Sequence, residues 1–249
     1  MVESQWPLQQ GGKMERALQE FVQEVQGLYG ENLVAVFLYG SAAAGEHVPG
    51  RSDINVGVVL RDLAPALLRL STLHLLSWSR HGFATPLFFD LQSLHDSLDV
   101  FPMEFLDMQE RHRTLWGPDL FADLHIERHN LRVQCEQELR GKLMKLRQSY
   151  VESAHTPSHL EHVLMAASSS LVVLARTLLR LRDCDPLGDA DAVLERLQSR
   201  FAVPTIALRK VSQLKRGHIR VAGSGLEELY RDVLEEVQGL VRVVDEMDV

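Results

Sequence analysis

The sequence predicts an α+β protein, with a mixed-sheet domain over residues 1–125 and an α-helical bundle domain over residues 126–249. Three observations predict it. Short apolar runs alternate with amphipathic segments up to about residue 125. Beyond that point apolar residues recur at spacings of three and four nearly to the end, the period of helices with one buried face. The runs at 33–39 and 54–60 are compact and rich in Val, which suits buried strands.

The elements follow in order. Residues 14–28 form an amphipathic helix, with Leu18, Phe21, Val22, Val25 and Leu28 on one face. Strands are expected at 33–39 and 54–60, joined by a connector at 40–51 that contains Gly, Ala and Pro. The Leu-rich stretch 65–78 reads as one helix, with Pro65 in its first turn. A third strand is expected at 86–90. A fourth is expected at 101–106, toward an edge because Pro102 cannot donate to a ladder. A helix follows at 108–115, ended by Gly117-Pro118. In the second half, Leu131, Cys135, Leu139, Leu143, Leu146 and Tyr150 share one face of a long helix over 129–152. Further helices are expected near 158–182, 189–199, 204–213 and 226–246, the last capped by Ser224. Short loops between them imply a bundle.

Composition narrows the function. Apolar residues make up 45% and charged residues 24%, which is ordinary for a globular protein. The net charge of -8 argues against broad nucleic-acid binding, which rests on neutralising phosphates with Lys and Arg. Cys135 and Cys184 lie far apart, form no metal-binding spacing, and read as reduced thiols of a cytoplasmic protein. No signal-peptide pattern is evident. The apolar run at 163–175 contains three serines, is too short to span a bilayer, and reads as a buried helix, so no membrane partner is expected.

One pattern carries chemistry. Leu38-Tyr39-Gly40-Ser41 closes a strand with a turn, and Ser52-Asp53-Ile54-Asn55 opens the next. A Gly-Ser turn at a helix start offers backbone N–H groups, a hydroxyl and a helix dipole to phosphate. Ala42, Ala43 and Ala44 favour such a helix, and Gly45 could end it. Asp53 and Asn55 are two residues apart, so a strand places them on one face. Their oxygens make a platform for Mg²⁺, although Asn55 brings a neutral carbonyl where a second carboxylate would bring charge.

This pattern resembles the signature of the DNA polymerase β-like nucleotidyltransferase superfamily, in the branch of small bacterial and aminoglycoside nucleotidyltransferases. The resemblance covers roughly residues 30–117, with Asn55 in place of the second motif carboxylate. It implies a nucleotidyltransferase-like domain at 1–125 and a helical bundle that shapes an acceptor pocket at a cleft between the two. It also implies transfer of a nucleoside monophosphate from a nucleoside triphosphate to an acceptor hydroxyl, with Mg²⁺ as cofactor. In it Gly40 and Ser41 hold the phosphates, and Asp53, Asn55 and a third acid are the catalytic and metal-binding residues. Glu104 in Phe101-Pro102-Met103-Glu104-Phe105-Leu106 is the preferred third acid and would receive the acceptor's proton, with Asp90 the alternative. The other reading is a catalytically impaired nucleotide-binding or protein-interaction module, of the kind found in toxin–antitoxin pairs. The partners expected are a nucleoside triphosphate, a small-molecule or protein acceptor and a second copy in a homodimer.

Other polar clusters have simpler readings. Glu110, Arg111, His112 and Arg113 read as the solvated face of a short helix, Asp107 as exposed, and Arg51 as a loop residue within reach of a phosphate. His155, His159 and His162 have the spacing but no third ligand for a metal site. Lys210, Lys215, Arg216, His218 and Arg220 form a basic cluster that could attract an anion.

Overall fold

The chain folds into two compact units, Met1–Ile126 and Glu127–Val249. The structure is a computed structural model and describes residues 12–45, 47, 52–153, 156–221 and 223–248.

The first unit is built on a four-stranded sheet. Helix α1 (Lys13–Tyr29) leads through a single 3₁₀ turn into β1 (Leu33–Tyr39). A second 3₁₀ turn, Gly40–Ala42, follows β1, and β2 (Asn55–Leu60) returns antiparallel to it. Strand β3 (Leu87–Asp90) runs parallel to β2, and β4 (His112–Trp116) runs antiparallel to β1. The strand order is β3-β2-β1-β4, a mixed sheet as expected.

Strand alternation gives the sheet two packed faces. Val36 and Leu38 of β1 with Val56, Val58 and Leu60 of β2 face α1, where they meet Leu18, Phe21 and Val25. The Phe21 ring centre lies 4.8 Å from that of Trp78 and 4.9 Å from that of Phe83. Ala35, Phe37 and Val59 face the other way, toward Leu94, Phe105, Met108 and Phe121. Gly57 lies on this second face, where a Cβ would fall 2.0 Å from the Phe37 ring, so the aromatic ring sits over the backbone of β2.

Three local expectations are corrected. Residues 65–78 do not form one helix: α2 (Pro65–Leu68), a 3₁₀ stretch at Arg69–Leu73 and α3 (Leu75–Arg80) replace it. Here leucines occur all round the helix, with Leu73 and Leu76 exposed, while Ser71 turns inward to hydrogen-bond the Tyr29 hydroxyl at 2.6 Å. Residues 101–106 are not a strand but the start of α5 (Pro102–Glu110). Pro102 occupies the first helical position, where its missing N–H costs nothing, and Pro102, Met103, Phe105 and Met108 are buried. The helix expected at 108–115 is instead divided between the end of α5 and β4, an edge strand whose polar residues suit pairing on one side only.

Among the described residues, the regular structure of the second unit is helical: α6 (Arg128–Ser153), α7 (Pro157–Arg180), α8 (Ala190–Phe201), α9 (Ile206–Lys215) and α10 (Ser224–Asp245). Leu131, Cys135, Leu139, Leu143 and Leu146 are buried along α6, as their spacing predicts. Helix α7 is long and apolar enough to cross a bilayer by length and composition, yet Leu160, Leu164, Leu171, Leu174, Leu178 and Leu179 are all buried in the bundle. Helix α10 starts after Gly223 rather than on a Ser224 cap. Glu236 reaches from α10 to the start of α9, where its two oxygens accept from the backbone N–H groups of Ala207 at 2.8 Å and Leu208 at 2.9 Å.

Candidate functional site

One end of the sheet gathers the sequence motif. Tyr39, the last residue of β1, pairs with Asn55 on one side and His112 on the other. The chain leaves Tyr39 through Gly40, whose φ of 71° is one that side chains rarely tolerate. A Cβ at Gly40 would lie 3.3 Å from the Asn55 Nδ2, so the corner and the head of β2 are in close approach. Asp53 is exposed just ahead of β2, and Ser41 is half-buried. Ile54 is buried, points into the α1 side, and bridges Phe83. Asn55 therefore stands on the opposite face, the one that Gly57 and Val59 share.

The turn after Gly40 is shorter than expected. It is a 3₁₀ turn at Gly40–Ala42, closed by Ala44 N–H donating to the Gly40 carbonyl at 3.1 Å. A three-residue turn carries no appreciable macrodipole, so its anion-binding capacity rests on local backbone N–H groups and the Ser41 hydroxyl. In the connector, the Ser52 hydroxyl lies 3.0 Å from His47 Nδ1. Arg51 falls outside the described residues, as does His155.

The two candidates for a third acid are carried by other elements, Asp90 by β3 and Glu104 by α5 (Pro102–Glu110). Asp90 ends β3 opposite Leu60, five residues along β2 from Asn55, roughly 16 Å at strand rise. Its carboxylate accepts from the Ser93 N–H at 2.6 Å and completes a capping box on α4 (Leu91–Asp96). That N–H and the Ser93 hydroxyl hold the Asp90 carboxyl below its usual range. Glu104 is exposed in the first turn of α5, and its neighbour Phe105 packs against Phe89 with ring centres 6.0 Å apart. Asp107, on the same helix, approaches Arg111 at 4.0 Å.

The charged run at 110–113 divides between elements. Arg113 and His112 point to opposite faces of β4. Arg113 donates to both carboxylate oxygens of Glu15 on α1, at 2.9 and 3.2 Å. His112 places Nε2 3.0 Å from Asp119 Oδ1 and Nδ1 3.0 Å from the Met108 carbonyl. Burial pushes the Asp119 carboxyl up, but the Phe121 N–H, the charge and hydrogen bond of His112 and the Ala122 N–H outweigh it and leave the group lowered. His112 and Asp119 were not legible as a pair in sequence. The usable signal was the polar, edge-type character of 112–116.

The remaining clusters have structural uses. Lys215 donates to the Ser169 hydroxyl at 2.6 Å, and Arg216 pairs with Asp191 at 2.5 Å. His159 and His162 are exposed. Among the described residues no three His, Cys, Asp or Glu side chains converge as a metal-binding group.

The donor set can be tested against Mg²⁺. Asp53 and the carbonyl oxygen of Asn55 supply one negative charge at the head of β2. That fits a single cation shared with a triphosphate, not the two-cation platform that nucleotidyl transfer commonly uses.

Comparison with solved structures decides the fold. The chain aligns with a spectinomycin adenyltransferase from Enterococcus faecialis, solved with ATP and spectinomycin, at a TM-score of 0.53 and 9% sequence identity, covering 90% of this chain and 98% of that one. The fold is that of a nucleotidyltransferase. No protein-family model matches the sequence, and none of the curated proteins does.

Proposed function

We propose that this protein binds a nucleoside triphosphate such as ATP at the sheet end formed by Gly40, Ser41, Asp53 and Asn55, in the manner of a nucleotidyltransferase. The observation that carries the reading is the pairing of Tyr39 with Asn55, which sets the Gly40–Ser41 corner beside the strand that Asp53 opens. Its occurrence in a nucleotidyltransferase fold supports the same reading.

In this reading residues 1–125 are the nucleotidyltransferase-like domain, and the helical domain, 126–249, supplies acceptor selectivity. Backbone N–H groups of the Gly40 turn and the Ser41 hydroxyl hold the β- and γ-phosphates. Asp53 faces the cation that travels with the triphosphate, and the Asn55 carbonyl is its weaker partner. The chemistry such a corner serves, when its acids are complete, is attack of an acceptor hydroxyl on the α-phosphorus with pyrophosphate leaving. The cytoplasm is the compartment that suits it, because nucleoside triphosphates are held there and Cys135 stays a thiol.

Calorimetric titration with ATP and GTP, with and without Mg²⁺, tests this function. Saturable binding that weakens at least about tenfold in Asp53→Ala or Ser41→Ala is the expected result. Wild-type protein that binds neither nucleotide would sink it.

A further inference from the structure

Strand register shows which residues share the candidate site's face. On β2 that face is Asn55, Gly57 and Val59. Strand β3 pairs parallel with β2, Gly57 opposite Leu87 and Val59 opposite Phe89, so Leu87 and Phe89 continue the same face onto β3. Packing agrees: Phe89 joins the cluster of Phe37, Val59 and Phe105, whereas Phe88 joins the α1 side. Leu87 is therefore the first β3 residue on the shared face, two residues along β2 from the level of Asn55, and it is 40% exposed. The one acid of β3, Asp90, is on the other face and occupied as a helix cap.

Resting on the nucleotide reading above, we infer that this sheet end binds a triphosphate with one cation and leaves it intact, because Asn55 is neutral and β3 brings only the apolar Leu87 and Phe89 to the shared face. A second cation at such a site lowers the pKa of an attacking hydroxyl, and two metals about 3.5–4 Å apart share bridging anionic ligands. Among the described residues, Asp53 is the carboxylate that precedes β2. Glu104 is carried on α5 and not on a strand of the sheet. Its neighbour Phe105 is anchored on Phe89, level with Val59 and four residues along β2 from Asn55, roughly 13 Å at strand rise. Leu87, opposite Gly57, and Phe89, opposite Val59, make the β3 part of this face apolar. The site then reports the presence of a triphosphate instead of consuming it.

The test counts cations. Mn²⁺ is titrated by electron paramagnetic resonance into protein saturated with a non-hydrolysable ATP analogue, and bound ATP is recovered by chromatography after incubation with Mg²⁺. The expected result is one Mn²⁺ per bound nucleotide and ATP returned unchanged. The double variant Asn55→Asp/Leu87→Glu is expected to take a second Mn²⁺ and to bind the Mg²⁺ complex of the analogue about tenfold more tightly than wild type. Asn55→Asp alone, with a smaller gain, serves if the double variant does not fold. Two Mn²⁺ per nucleotide in wild type, or pyrophosphate released by it, would overturn this inference while leaving nucleotide binding standing. No binding of the analogue would overturn both.

Discussion

The side-chain amide nitrogen of Asn55 lies 3.3 Å from the point a Cβ on Gly40 would occupy. Gly40 also has a φ of 71°. A methyl group there meets backbone strain and the Asn55 side chain together. Gly40→Ala is expected to destabilise the protein by about 1–2 kcal/mol and to lower ATP affinity more than it lowers stability. Thermal melts alongside calorimetry check it, and an unchanged affinity would separate the corner from the nucleotide.

Gly57 tests the sheet beneath the site. The Phe37 ring covers its backbone, and Phe121 meets that ring edge-on with centres 4.7 Å apart. Because the ring is hemmed in, it cannot swing away freely. Gly57→Ala should cost about 1–3 kcal/mol through overpacking, read as a lower urea midpoint at constant slope. A neutral result would mean that Phe37 has room to move.

Asp119 predicts a pH effect at the His112 edge. Its pKa is lowered in the folded protein, so its contribution is present above the ordinary carboxylate value and is lost as pH falls through the lower folded value. Asp119→Asn should remove that acid-limb dependence and cost about 1 kcal/mol at neutral pH, since the Phe121 N–H and His112 lose a charged acceptor. Urea unfolding at a series of pH values reads both effects.

Glu236 behaves with the opposite sign. Burial raises its pKa, although the N–H groups of Ala207, Leu208 and Ile206 pull it down. Its protonation therefore favours the folded state: the contribution is full below the ordinary carboxylate value and falls away as pH rises through the higher folded value. Glu236→Gln should abolish that slope. Glu236→Ala should cost about 2 kcal/mol at any pH in the range, because two buried N–H groups at the start of α9 lose their acceptor. Chemical denaturation of both variants between acid and neutral pH distinguishes charge from cap.

Much of the fold was legible because its signals are local. Val and aromatic residues packed into 33–39 announce a strand buried on both faces, and the structure has β1 over the same residues. The period along 129–152 announces α6, because a helix must repeat its apolar face every three to four residues. Phe101, Met103 and Phe105 misled because they alternate like a strand, while Pro102 among them is equally a helix start. His112 and Arg113 misled because a short edge strand pairs on one side and needs little apolar content.

Residue order alone determined the Gly40–Ser41 turn, the Asp53–Asn55 spacing and the helical character of the second half, since each depends on neighbours a few bonds away. Only the tertiary structure decided that Asp90 lies on the face of β3 away from Asn55 and that Leu87 stands opposite Gly57 on the face of Asn55. Those facts follow from which strand pairs with which and in what register. Register is set by burial of both sheet faces across residues far apart in the chain, and no short window of sequence contains that information.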